Sequence, residues 1–119
     1  GLFGRKHCVM WGVQFSAGGR SFASTALVKR NLCTGENATR YEEGRYVSEH
    51  VFVPRPGAEA EDDGALVGLV FDGAEGETFA EVADARTLER LAMMPTGLRV
   101  PFPVHATWVG DGGRPSVFV

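Results

Sequence analysis

Short runs rich in valine and aromatic residues, separated by glycine, aspartate and proline, recur along the 119 residues of this chain. Such runs predict strands joined by turns, because Val, Phe and Trp favour the extended backbone and Gly, Asp and Pro favour turns. The predicted strands lie at residues 7–15, 25–32, 45–54, 65–72 and 78–84. The pattern predicts an antiparallel all-β architecture, which can be a sandwich, a barrel or the blades of a propeller.

The second half of the chain makes the strand pattern more specific. Ala65 to Asp72 is almost continuously apolar, which predicts a strand buried on both faces, whereas Thr78 to Asp84 alternates and predicts a half-buried strand. Gly73 to Gly76 has the length of a hairpin connection. Arg86 to Met93 fits a helix and a strand equally well, with Pro95 ending the helix if one forms.

Composition limits the classes of function. At 44% hydrophobic residues and a net charge of −3, the chain fits one globular domain and lacks the basic stripe of a nucleic-acid binder. No apolar run approaches the roughly 20 residues that cross a bilayer. Two cysteines, Cys8 and Cys33, predict no disulfide framework and a reducing compartment. The chain begins without methionine, and we interpret it as a piece of a longer protein.

Three stretches occur in order between residues 25 and 109. The first is Leu27 to Gly35 (LVKRNLCTG). The second joins Glu49 to Gly57 (EHVFVPRPG) with the acidic segment Glu61 to Gly64 (EDDG). The third ends in Val100 to Trp108 (VPFPVHATW).

Together these stretches resemble the C-terminal region of the carotenoid oxygenase family, whose members cleave carotenoids and apocarotenoids. Asn31 stands where the family usually has aspartate, a change expected to affect a turn contact. The resemblance implies that residues 1–119 form antiparallel strands in the last blades of a seven-bladed β-propeller, without a separate second domain.

The resemblance also implies a site for Fe(2+). Family members hold iron with four histidines, and only His105 of this chain matches one of them. Glu49 matches a glutamate that orients a ligand histidine, and we expect that histidine to lie outside this chain. Imidazole suits ferrous iron, and a carboxylate accepting its second ring N–H sets its tautomer. Phe102 and Trp108 flank His105 and are candidates for the wall of a substrate tunnel, or for core packing.

The implied reaction is the cleavage of a conjugated double bond by O2, with a carotenoid, an apocarotenoid or a related polyene as substrate. The iron and the missing N-terminal blades are implied partners, and the complete enzyme is expected to associate peripherally with a membrane. The expected compartment is the plastid in a plant or alga and the cytoplasm otherwise. The sequence does not specify the bond that is cut, or whether isomerisation replaces cleavage.

Plainer interpretations remain for several residues. His50 follows Glu49 directly, so strand alternation points it the opposite way, and we interpret it as a surface histidine. The acidic segment from Glu59 to Asp63 is expected to be a solvated turn rather than a cation site. His7, Cys8 and Cys33 lack the spacing of a zinc site. The alternative function is a catalytically inactive β-rich interaction module, or a relic of such an enzyme.

Overall fold

The computed structural model describes residues 7–16 and 24–98, together with the backbone of two strands at 107–111 and 114–118. These described residues form ten strands and no helix. In chain order the strands are β1 (Val9–Phe15), β2 (Thr25–Asn31), β3 (Asn37–Tyr41), β4 (Arg45–Val47), β5 (Val51–Pro54), β6 (Gly64–Asp72), β7 (Glu77–Asp84), β8 (Arg90–Leu98), β9 (Thr107–Asp111) and β10 (Arg114–Phe118).

The described strands form three antiparallel sheets. The first contains β1, β2 and β3 in that order, and the third is the β9–β10 hairpin. The second has the order β4, β6, β7, β8, with β5 continuing the line of β4 along β6. The all-β prediction is therefore confirmed. No helix in the described part of the chain has the length and apolarity to span a membrane.

The segment from Arg86 to Met93, which fitted helix and strand equally, is a turn followed by β8. Asp84 accepts hydrogen bonds from the backbone N–H groups of Arg86 and Thr87, which closes the turn. Leu88 then adopts a φ of +67°, which prevents a helix from continuing. Pro95 lies within β8 beside a register shift, and β8 is an edge strand, where a missing N–H is tolerated.

Strand β6 departs from its prediction. Its burial alternates, with Leu66, Gly68, Val70 and Asp72 buried and the residues between them only half-buried. The expectation of burial on both faces is therefore wrong, because one face of this sheet packs on the core and the other is partly open. The hairpin connection at residues 73–76 is confirmed: the Gly76 N–H donates to the Asp72 carbonyl at 2.8 Å.

One apolar core joins the first two sheets. Its buried residues come from both sheets and from the turn before β8, and they are Leu27, Val47, Leu66, Val70, Ala83, Ala85 and Leu88. Trp11 of β1 stacks on Phe52 of β5 with ring centroids 4.6 Å apart, and its indole N–H donates to the Ala85 carbonyl. The two sheets consequently share a single interior.

The two cysteines are bonded to each other, contrary to the sequence-based expectation. Cys8 and Cys33 lie at the ends of β1 and β2, where the pairing of Val9 with Asn31 brings the two chain segments together. Only the tertiary pairing reveals this proximity, since 25 residues separate the cysteines along the chain. The inference of a reducing compartment loses its basis.

Candidate functional site

The predicted site residues differ in how far the structure describes them. His105 and Phe102 lie outside the described residues, and Trp108 is described only as backbone in β9, opposite Val117. Glu49 is described and exposed, between β4 and β5. The roles predicted for these four residues therefore remain predictions.

The packing of β9 near β5 bears on the predictions for Glu49 and His105. Strand β9 begins two residues after His105, and β5 begins two residues after Glu49. Cα atoms of these two strands approach within 8 Å. The strands that follow Glu49 and His105 in the sequence therefore lie close together.

Glu49 sits in a β-bulge. Val47 pairs with Val70, and Val51 pairs with Val67, so three residues (48–50) oppose two residues (68–69) of β6. The Ser48 side chain takes the place of a backbone group in the hydrogen bonding between the strands. Its hydroxyl accepts from the Leu69 N–H at 3.1 Å and lies 2.9 Å from the Leu69 carbonyl. A bulge of this kind bends the strand and re-aims the side chains that follow.

His50 is buried, so its interpretation as a surface histidine is wrong. Its side chain is 0% exposed and packs directly over Gly68, where an added Cβ would overlap the ring. His50 and Glu49 do differ in burial, as alternation predicted, but His50 is the buried residue and Glu49 the exposed one.

Both ring nitrogens of His50 have acceptors. Nδ1 lies 2.8 Å from the Ser48 carbonyl oxygen, and Nε2 lies 2.6 Å from Oε2 of Glu81. Both ring nitrogens therefore lie within hydrogen-bonding distance of an oxygen atom, and the ring is held at both ends.

Glu81 of β7 is the centre of a buried ionic cluster. Its carboxylate also accepts from Arg40 of β3 at 2.6 Å and from Arg90 of β8 at 2.7 Å. Burial raises the pKa of Glu81, but the hydrogen bonds from His50 and Arg40 outweigh burial and lower that pKa to about 2. The carboxylate is therefore ionised, and the cluster ties the three-stranded sheet to the five-stranded one.

A second carboxylate extends the cluster towards solvent. Glu42 accepts two hydrogen bonds from Arg90, at 2.6 and 3.0 Å, and one from Arg45 at 3.0 Å. The hydrogen bond from Arg90 is the main reason that the pKa of Glu42 is lowered. Paired charges of this kind hold one another in place, since leaving any of them buried alone is costly.

The acidic segment before Gly64 has a structural role. Glu61 accepts from the backbone N–H groups of Cys8 and Val9, Asp62 binds Lys29 and Arg86, and Asp63 binds Arg55. These partners lower the pKa of all three carboxyl groups, beginning with the Val9 N–H for Glu61, Lys29 for Asp62 and Arg55 for Asp63. Among the described residues, no group of three or more His, Cys, Asp and Glu could hold a metal ion.

The cluster around Glu81 was missed in the sequence, although one signal was present. Gly68 interrupts an otherwise apolar strand, and a glycine in such a place often marks close approach by another group. In the unbroken pairing of β6 with β7, Glu81 lies opposite Gly68, between residues that pair with the buried Leu66 and Val70. The sequence does not show which face of β7 the other sheet covers.

The whole arrangement of strands resembles a solved enzyme. The cobalt-substituted apocarotenoid oxygenase of Synechocystis superposes with a TM-score of 0.83 at 25% identity, covering 92% of this chain and 24% of that one. Carotenoid oxygenases are β-propellers, and the antiparallel strands described here place this chain in that fold class. The predicted fold class is confirmed.

Sequence relatives give the same assignment. The family model for retinal pigment epithelial membrane protein matches residues 1–110. A Neurospora crassa carotenoid dioxygenase is 33% identical over 110 residues, covering 91% of this chain and 18% of the relative. The chain belongs to this family, the carotenoid oxygenases. The resemblance seen in the three stretches is thereby confirmed.

Two further relatives differ in compartment. Carotenoid cleavage dioxygenase 8 homolog A, chloroplastic, of Oryza sativa subsp. japonica is 37% identical over 83 residues, covering 70% of this chain and 15% of the relative. The carotenoid-cleaving dioxygenase, mitochondrial, of Mustela putorius furo is 33% identical over 107 residues, covering 89% and 19%. Localisation therefore varies within the family, and the chain spans less than a fifth of the length of these relatives.

Proposed function

We propose that this chain is part of a non-haem iron(II) dioxygenase that cleaves conjugated double bonds of carotenoids or apocarotenoids with O2. The observation that carries the proposal is the superposition of 92% of the chain on a metal-substituted apocarotenoid oxygenase. The shared core of the first two sheets supports treating residues 1–119 as one structural portion of that enzyme.

In this proposal His105 contributes one imidazole to the iron, and histidines outside this sequence contribute the others. Ferrous iron, when bound, supplies open coordination positions at which O2 is activated. Glu49 accepts the second ring N–H of a ligand histidine and so fixes its tautomer. Because β9 packs against β5, His105 itself is a candidate for that ring, besides a histidine outside this sequence.

Phe102 and Trp108 are proposed to line an apolar tunnel on either side of His105. Aromatic rings suit a polyene because they offer large rigid apolar faces. The tunnel would hold the substrate in register, so that one double bond lies beside the metal. Replacing either aromatic is then expected to change which bond is cut or the apparent KM, rather than the iron content.

The test uses the complete gene product that contains this sequence. His105→Ala should abolish iron loading and the formation of carbonyl products from a carotenoid. His7→Ala is the matched control, because His7 is exposed and lies outside the proposed site. Iron content by elemental analysis and product formation by chromatography are the two measurements. Retained iron and turnover in His105→Ala would remove His105 from the site.

Three apolar side chains on the edge strand β8 favour a second candidate, a β-rich interaction module without activity. Leu91, Met94 and Leu98 are 55–61% exposed, and exposed apolar residues on an edge strand suit a partner. A complete gene product that binds no iron and cleaves no polyene would favour this candidate. The plastid or cytoplasmic location and peripheral membrane association belong to the enzyme proposal and are tested by cell fractionation.

A further inference from the structure

The two residues that flank Glu49 are both held by contacts with β6. The bulge at residues 48–50 is pinned on one side by the Ser48 hydroxyl, which bonds both backbone groups of Leu69. On the other side it is pinned by the ring of His50, which points inward over Gly68. Glu49 lies between these two anchors and is exposed.

The anchor at His50 is rigid. Its ring bonds its own bulge through Nδ1 and the Ser48 carbonyl, and it bonds β7 through Nε2 and Glu81. Gly68 leaves no space for the ring to shift towards β6 without contact. Because Arg40 and Arg90 hold the Glu81 carboxylate in turn, strands β3, β7 and β8 all set the position of His50.

We infer that His50, held by Glu81, is a positioning residue that sets the direction of Glu49 and thereby the orientation of the ligand histidine that Glu49 contacts. This inference rests on the role proposed for Glu49. A ring bonded at both nitrogens fixes the backbone on the C-terminal side of Glu49. Loss of the ring would let the three-residue bulge relax and swing the carboxylate away.

The test is a double-mutant cycle on iron binding by the complete gene product, measured anaerobically by competition with a ferrous chelator. Glu49→Ala should weaken iron binding about 10- to 100-fold, the usual effect of losing a partner of a ligand histidine. His50→Ala should weaken it about tenfold. In the Glu49→Ala background, His50→Ala should have no further effect, because a residue acting through Glu49 has nothing left to position.

Two further variants separate positioning from general loss of stability. His50→Gln retains an amide donor for Glu81 and should recover part of the iron affinity, and it replaces His50→Ala in the cycle if that variant does not fold. Val28→Ala is the control, because Val28 is buried in β2 and pairs with Gly12 and Thr39, neither of which belongs to the bulge or to the cluster around Glu81. It should lower the melting temperature while iron affinity stays within about twofold of the wild type.

Each failure has its own outcome. If the effects of Glu49→Ala and His50→Ala multiply, His50 supports the fold in general and the positioning role is overturned. If Glu49→Ala leaves iron affinity unchanged, the proposed role of Glu49 fails, and a crystal structure of the His50→Ala variant then decides the positioning. A displaced Glu49 backbone would support the positioning role, and an unmoved one would overturn it.

Discussion

Gly68 shows how one absent side chain makes room for another. The His50 ring occupies the space above this glycine, where a Cβ would overlap Nδ1. The ring cannot retreat without giving up its bonds to Ser48 and Glu81. Glycine is therefore needed at position 68 for close approach, and its backbone φ is not the reason.

Gly68→Ala is expected to lower the free energy of unfolding by about 1–3 kcal/mol, the range for overpacking a filled interior. The matched control is Gly12→Ala in β1, where the nearest atom to an added Cβ is Cγ2 of Val28 at 3.9 Å. That variant should be neutral or stabilising by about 0.5 kcal/mol, because alanine loses less backbone entropy than glycine. Chemical denaturation of both variants measures the difference, and equal stabilities would contradict the close packing of His50.

The ionised state of Glu81 predicts how stability depends on pH. Its pKa is about 2 in the folded chain against 4.5 for an ordinary glutamate, so the unfolded chain takes up the proton first as pH falls. The contribution of Glu81 is complete above about pH 4.5 and is lost as pH falls towards 2. The shift corresponds to ~3 kcal/mol of unfolding free energy.

Denaturation series from pH 5 to pH 2 on the wild type and on Glu81→Gln measure this contribution. The wild type should lose ~3 kcal/mol more than Glu81→Gln over this interval, because the amide does not titrate. Glu75→Gln, at an exposed glutamate in the turn before β7, should retain the wild-type dependence. If the free energy of unfolding falls equally with pH in the wild type and in Glu81→Gln, the charge of Glu81 does not stabilise the fold.

At the level of single elements, β8 combines an edge position with exposed apolar side chains. It lies at one edge of the five-stranded sheet, and Leu91, Met94 and Leu98 are exposed along it. An edge strand with exposed apolar side chains can pair with another chain. In the proposed propeller, parts of the protein outside this sequence would cover it.

The 119-residue chain expressed alone is therefore expected to aggregate or to bind its missing portion. Replacing Leu91 and Met94 with lysine should raise the soluble monomeric fraction, because charges on an edge oppose pairing. Leu32→Lys, at an exposed position in the turn after β2, is the control and should change solubility less, because it does not lie on an edge strand. Size-exclusion chromatography and light scattering measure the outcome, and a monomeric, cooperatively melting wild-type chain would contradict the expectation.

For the molecule as a whole, the first two of the three stretches that identify the family contribute contacts that hold its described part together. Lys29 of the first stretch binds Asp62 of the second at 2.7 Å, and Arg86 binds the same carboxylate. Glu61 accepts from the N–H groups of Cys8 and Val9, at the start of β1. The most recognisable residues outside the third stretch are thus contacts between sheets rather than ligands of a metal.

Several features followed from the sequence alone. The strand pattern predicted antiparallel sheets because alternation and turn residues act over only a few positions. The three stretches predicted the family. Asn31 was expected to affect a turn contact, and its Oδ1 accepts the N–H groups of Cys33 and Thr34 at 3.0 Å. Glu49 was singled out by its motif, and the structure places it exposed at a bulge, while its role remains a proposal.

Other features were decided only by the tertiary structure. The Cys8–Cys33 bond and the contacts of Glu81 with His50 and Arg40 each join residues at least 25 positions apart. Such pairs depend on which strands pair and which sheets pack together, and local periodicity carries no information about either. A charged residue is read from sequence as exposed because burying a lone charge is costly. Here Arg40, His50 and Arg90 surround Glu81 and remove that cost.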